Sequence, residues 1–270
     1  MALKFMYITN NSQVARVAQA SGVDRIFVDL EVLNKEERQN GINSVKSKHS
    51  YEDIKKIKKE LTTSELLVRI NPIHAGSEKE IETVIECGAD IIMLPYFKTI
   101  YEITQFLKFT KGKVKNILLL ETKEAVNILD EILQLNGIDE IHIGLNDLHL
   151  SYKLKFMFEL LTCGIVESII EKIKKTDIKY GFGGIARLGF GQLPAELILA
   201  EHYRLGSNIV ILSRSFCNSE ENDIETVKKI FDEEIIKIRD YENYLSKQDS
   251  LFFADNYKKM ENAVNKILKG

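Results

Sequence analysis

The sequence predicts a (β/α)8 TIM barrel with extra C-terminal helices. Three observations lead there. Short apolar runs and amphipathic segments alternate eight times along the chain. Most of the repeats are roughly 23 to 29 residues long, about the length of one strand–helix unit. The 270 residues, 44% of them hydrophobic, suffice for one large core. An open doubly wound sheet is the competitor. The GFGGIA run at 181–186 fits a dinucleotide fingerprint, but it comes late and no well-placed acid follows in the next strand, so it reads as chance.

In order, Leu3 to Thr9 is the first strand, and Asn10 to Ser12 cap the helix SQVARVAQASG, which stops at Gly22. RIFVDLEV is the second strand. The polar stretch from Asn34 to Ser50 is too long for a bare connector. SYEDIKKIKKEL is a helix and ELLVRINP the third strand. SEKEIETVIECG is a helix capped by Ser77 and ended by Gly88. ADIIMLPYF and the helix TIYEITQFLKF follow. Then come ILLLET, the amphipathic KEAVNILDEIL, and EIHIGLNDLHLS, which form two strands and the helix between them. A long helical region covers roughly Lys155 to Lys175. KYGFGGIA and NIVILSRSF are the last strands, separated by the helix LPAELILAEHYRLG. Helices around Ile224 to Leu245 and Leu251 to Leu268 close the chain.

A net charge of −3 gives no electrostatic reason to expect nucleic acid or an anionic membrane as partner. The Lys-rich stretches carry no stacked aromatics for a nucleic acid. No apolar run approaches the roughly 20 residues of a membrane span, and MALKFMYITN turns polar too soon for a signal peptide. The three cysteines, Cys87, Cys163 and Cys217, argue against a disulfide framework or a zinc site. A reduced cytoplasmic protein is expected. Three prolines and no Ser/Gly-rich tract leave no interdomain linker, so residues 1–270 are expected to form a single domain.

Barrel chemistry sits at the C-terminal ends of the strands. That rule selects Asp29 and Glu31, Arg69 and Asn71, Pro95, Glu121, Asn146 and Asp147, Arg187, and Ser213 to Ser215. Glu121 and Asp147 end neighbouring strands at the same rim, where two oxygen donors form half of a site for Mg2+ or Mn2+. The alternative is that they cap a helix and turn the chain. Alternation puts Arg69 and Glu121 on odd-numbered faces. If those faces are inner, a guanidinium stands across from the cation and can hold an enolate oxygen. An ion pair with a mouth acid is the competing role for Arg69. His142 falls on the opposite face of its strand and is expected in the core or against a helix.

The motifs LLVRINP, ADIIMLPYF, LLLETKEAV and IHIGLNDL, in that order, resemble those of the HpcH/HpaI aldolase and citrate lyase beta-chain superfamily, over roughly residues 24–216. RIFVDLEV resembles the second strand of the citrate lyase branch. The resemblance implies that Glu121 and Asp147 are metal ligands and that Arg69 binds the carboxylate or enolate of a pyruvate-like substrate. It also implies that backbone amides around Leu94 and Pro95, and from Gly144 to Asn146, hold the carboxylate. Two features depart from the family. The aldolase branch carries a histidine just after the second strand, where this chain reads EVLNKE, and the second acid of the citrate lyase branch is replaced by Val32. Glu31 is kept, and His49 is a candidate stand-in for the histidine.

Glycines and Arg187 after the seventh strand, with SRS after the eighth, suggest an anion site for a phosphorylated aldehyde or a CoA-like tail. Close packing is the alternative use of the glycines. Arg214 has a second candidate role, pairing with Asp29 or Glu31. In residues 246–270, Phe253, Tyr257, Met260, Val264 and Ile267 form one apolar stripe. Because family members are commonly oligomeric, the stripe is expected to reach over a neighbouring subunit of a homo-oligomer (dimer, trimer or hexamer). The expected function is a metal-dependent carbon–carbon lyase or aldolase acting on a small 2-oxo acid or acyl compound. The rival is a weakened barrel that binds a carboxylate or metal as a sensor or assembly partner.

Overall fold

A computed structural model describes residues 2–33, 49–220 and 222–269. Eight parallel strands close in sequential order: β1 (Lys4–Ile8), β2 (Arg25–Asp29), β3 (Glu65–Arg69), β4 (Ile91–Leu94), β5 (Lys115–Leu120), β6 (Glu140–Ile143), β7 (Lys179–Ile185) and β8 (Ile209–Leu212). β8 pairs back onto β1, with Phe5 opposite Val210. Helices alternate with the strands, so the protein is a TIM barrel with further helices after β8.

Local sequence accounts for most of the helices. α1 (Ser12–Ala20) starts at Asn11, whose side chain accepts from the Gln13 and Val14 amides. α2 (Tyr51–Glu60) opens with a Ser50/Asp53 capping box. In α3 (Ser77–Glu86) the expected cap is absent. Gly76 is the N-cap, and Ser77 Oγ instead accepts from the His74 amide. α4 (Ile100–Thr110) has a Thr99/Glu102 box. The segment between β5 and β6 breaks into α5 (Lys123–Asn127) and α6 (Leu129–Ile132). After β6 comes α7 (Leu145–Ser151). The long helical region expected over roughly Lys155 to Lys175 consists of α8 (Glu159–Thr162) and α9 (Ile165–Ile173), with Gly164 at φ +80° between them.

α10 (Ala195–Leu205) precedes β8, and α11 (Ile224–Leu245) and α12 (Ser250–Lys269) end the chain. The α12 stripe, expected on a neighbouring subunit, is largely spent on this chain's own barrel. Met260 and Val264 are buried, Asn256 Nδ2 donates to Leu197 O, and Tyr257 Oη donates to Thr162 O. Ile267 stays exposed. Of the polar stretch from Asn34 to Ser50, residues 34–48 lie outside the described residues.

Two cores result. Outward strand residues such as Val28, Val68, Leu118 and Ile141 pack under the helices. Inside the barrel, Met6, Phe27, Leu67, Met93, Ile117, Leu119 and Ile209 form a second cluster. Below it lies a polar layer. Arg25, fully buried, binds Glu140 through Nη1 and Nη2 at 2.5 and 2.6 Å and Glu65 through Nε at 3.1 Å. Lys115 pairs with Glu65 as well. Burial works against the Arg25 charge, but the facing carboxylates outweigh it and raise its pKa. The N-terminal end of the barrel is thereby closed by ion pairs, which leaves the C-terminal end for a site.

Candidate active site

The site is built at the C-terminal rim, around a cavity of about 730 Å3. Its lining includes Asp29, His49, Arg69, Glu121, Gly144, Asn146, Asp147 and Arg214. The odd faces of β3 and β5 do turn inward, and Arg69 and Glu121 meet at this cavity.

Glu121 follows β5 and is 3% exposed. Its Oε1 accepts from the Tyr96 amide at 3.0 Å. Tyr96 sits at φ +48°, a left-handed conformation that aims its N–H at the carboxylate. A Cβ placed on Gly144 would lie 2.8 Å from Glu121 Oε2. Glycine at 144 therefore keeps open the space beside that oxygen. Asp147 is reached differently from the sequence reading. β6 ends at Ile143, and Asp147 sits in the first turn of α7 rather than at a strand tip. Both carboxylates border one cavity, one of them beside a cradle that a Cβ would fill. An all-oxygen pair of this kind suits a hard divalent cation such as Mg2+ or Mn2+. Among the described residues no three His, Cys, Asp or Glu side chains form a metal cluster.

Arg69 is anchored from below and beside. Nε and Nη2 each lie 2.8 Å from an Asp29 oxygen, and Nε is 3.3 Å from Glu31 Oε2. The Phe27 ring lies 5.5 Å from the guanidinium carbon. Burial opposes the Arg69 charge, yet Asp29, Glu31 and Glu121 more than compensate and raise its pKa. The ion-pair role weighed for Arg69 is thus present, and the residue still lines the cavity. His49 is at the site too. Its Nδ1 accepts from the Asp29 amide at 2.9 Å, which leaves Nε2 to carry the proton of a neutral ring.

Other positions fall elsewhere. Leu94 is buried in the outer core, and neither Leu94 nor Pro95 is among the described lining residues. Proline has no amide hydrogen, and the next amide, that of Tyr96, is spent on Glu121. The Gly144 amide is likewise used, on Leu120 O. Asn71 leaves the mouth, donating to Glu80 and accepting from the Val32 and Leu33 amides. Arg187 lies in a separate recess, with its guanidinium 4.2 Å from the Phe190 ring centre. Arg214 borders both the recess and the cavity. Three of the five glycines expected to cradle an anion lie inside β7. There the strands crowd: a Cβ on Gly181 would fall 2.1 Å from Ile209 O.

His142 is buried, as expected, but not against a helix. It faces into the barrel, lines the cavity and is 1% exposed. On β6 the even residues are inner, as Glu140 shows by reaching Arg25, while Ile141 and Ile143 pack outward. The strict polar–apolar alternation of EIHIG was the available signal. Tyr7, Thr9, Asn10 and Asn11 complete the mouth from the β1 side.

Comparison with known proteins adds a family. The HpcH/HpaI aldolase/citrate lyase family matches over residues 4–180. No curated protein matches the sequence. Among solved structures, an HpcH/HpaI aldolase from Desulfitobacterium hafniense DCB-2 is similar at 12% identity, covering 88% of this chain and 93% of that one, with a TM-score of 0.62. An HpcH/HpaI aldolase/citrate lyase family protein from Burkholderia cenocepacia J2315 is similar at 13% identity, 84% and 94% coverage and a TM-score of 0.61. The citrate synthase SbnG is similar at 16% identity, 79% and 87% coverage and a TM-score of 0.57. At these identities the structural likeness speaks to the fold alone.

Proposed function

The chain belongs to the HpcH/HpaI aldolase/citrate lyase family, and from that premise we propose that it is a metal-dependent carbon–carbon lyase or aldolase. Its substrate is a small 2-oxo acid or a related acyl compound, and the bond made or broken lies next to the enolate. The observation that carries this reading is the meeting of Glu121, Asp147 and Arg69 at one cavity on the catalytic rim of the barrel.

Glu121 and Asp147 would hold the cation. A bound Mg2+ or Mn2+ supplies a Lewis acid for a carbonyl oxygen. Arg69 contributes fixed positive charge where the enolate oxygen develops, and its fork with Asp29 holds that charge in place before substrate arrives. Asn146 and Arg214, at the cavity wall, would orient the carboxylate. His49 stands at the mouth with its Nδ1 accepting from the Asp29 amide and its proton on Nε2, and acts there as a proton donor. The walls formed by Phe27, Met93 and Leu119 keep water from the carbanionic carbon.

The test is exchange of pyruvate methyl protons with D2O in the presence of Mg2+. Exchange that disappears with a chelator and in Glu121→Gln supports the reading. Exchange unchanged in Glu121→Gln overturns it, as does metal-linked binding of pyruvate or oxalate with no exchange at all.

A further inference from the structure

His142 stands one inward residue below Gly144 on β6, at the floor of the cavity and beside Leu119 of β5. Its Nε2 lies 3.2 Å from Gly183 O. A carbonyl oxygen only accepts, so Nε2 carries the proton and Nδ1 is left as an acceptor. Nδ1 is buried and has no hydrogen-bond partner among the described residues. Buried polar atoms are almost always paired, and a cavity-lining one that is not invites a ligand to complete it. Burial, reinforced by the nearby Arg25 and Arg69 charges, holds the His142 pKa down to about 4, so the ring is neutral at pH 7. Nothing else assigned to the site uses this ring. Above it, Glu121, Asp147 and Arg69 claim the carboxyl and carbonyl end of a substrate, and below it the barrel is closed by Arg25 and Glu140.

We propose that His142 is a specificity-determining acceptor, which selects 2-oxo acids carrying a hydroxyl on the carbon next to the carbonyl. Such a hydroxyl donates to Nδ1, whereas the methyl group of pyruvate leaves Nδ1 unpaired. The inference rests on the proposed placement of the oxo acid at Glu121, Asp147 and Arg69.

The probes are hydroxypyruvate and pyruvate, which differ by this one hydroxyl, titrated into the Mn2+-loaded protein by calorimetry. The wild type is expected to favour hydroxypyruvate by about tenfold, the worth of one buried hydrogen bond. His142→Gln keeps a polar end near Gly183 O but removes the acceptor at the Nδ1 position, and is expected to bring the ratio to about one. His142→Asn places an amide oxygen near the Nδ1 position and is expected to keep most of the preference. A ratio that is the same in wild type and His142→Gln overturns the proposal while leaving the lyase reading intact, provided pyruvate still binds and Glu121→Gln still abolishes exchange. Failure of the wild type to bind pyruvate with Mn2+ overturns both.

Discussion

Arg69 and Asp29 are register partners on β3 and β2, and they meet in a two-pronged fork with both contacts at 2.8 Å. Asp29 is 1% exposed and Glu31 3%, so the guanidinium pairs with two carboxylates that water hardly reaches. Removing it in Arg69→Ala takes this guanidinium from both buried carboxylates and should cost about 3 kcal/mol of stability. Arg69→Lys keeps the charge without the fork. It should lose less stability but still reduce kcat/KM by roughly 10- to 100-fold, because an ammonium cannot reproduce the two-pronged hold on Asp29. Urea unfolding beside steady-state kinetics checks both, and wild-type stability in Arg69→Ala would refute the claim.

A second buried pair tests the closed end of the barrel. Arg25 and Glu140 are 115 residues apart in sequence and bonded twice inside the barrel. Glu140→Gln is expected to lose about 3 kcal/mol or more by leaving a buried guanidinium short of charge, whereas the double change Arg25→Met/Glu140→Leu should recover most of the loss. Neither residue lines the cavity, so metal-dependent activity should survive in the double variant. Chemical denaturation of the three proteins gives the answer.

Gly144→Ala probes the space beside Glu121. The added Cβ would sit 2.8 Å from Oε2 and 3.0 Å from Cβ of Glu121. The carboxylate must turn away, and metal affinity is expected to fall by roughly 10- to 100-fold, the usual cost of disturbing the support of a ligand. The far-ultraviolet circular dichroism spectrum should not change. Calorimetry with Mn2+ reads the affinity.

Acid should destabilise the fold through two histidines. Burial holds His142 down to about 4 and His202 down to about 3, whereas both titrate near 6.5 when unfolded. Between those limits the unfolded chain binds protons that the native state refuses. Stability is therefore full above about pH 6.5 and falls as the pH drops toward the folded values. His142→Gln combined with His202→Gln should flatten the urea-midpoint profile between about pH 6.5 and 4. A profile as steep as that of the wild type would contradict the assignment.

The barrel was legible because each strand–helix unit announces itself locally, through an apolar run, a cap such as Asn11 or Thr99, and a stop such as Gly22. Parity was harder. The odd residues of β2, β3 and β5 face inward, but β6 turns its even residues in, because the inner face is set by register between strands and not by residue number. That is why Arg69 and Glu121 were expected at the cavity, and why His142 was expected away from it. The Tyr96 amide on Glu121 was out of reach for another reason: a left-handed tyrosine has no sequence signature. The Arg25–Glu140 pair was hidden by its long sequence separation. Ser77 looked like a cap, but the preceding turn claimed its hydroxyl.

The most direct test of the central claim is a Mn2+ titration followed by water-proton relaxation, with oxalate as a stand-in for the pyruvate enolate. The wild type should bind one Mn2+ more tightly when oxalate is present, and Glu121→Gln and Asp147→Asn should each weaken that binding at least about tenfold. Wild-type affinity in both variants would contradict the account.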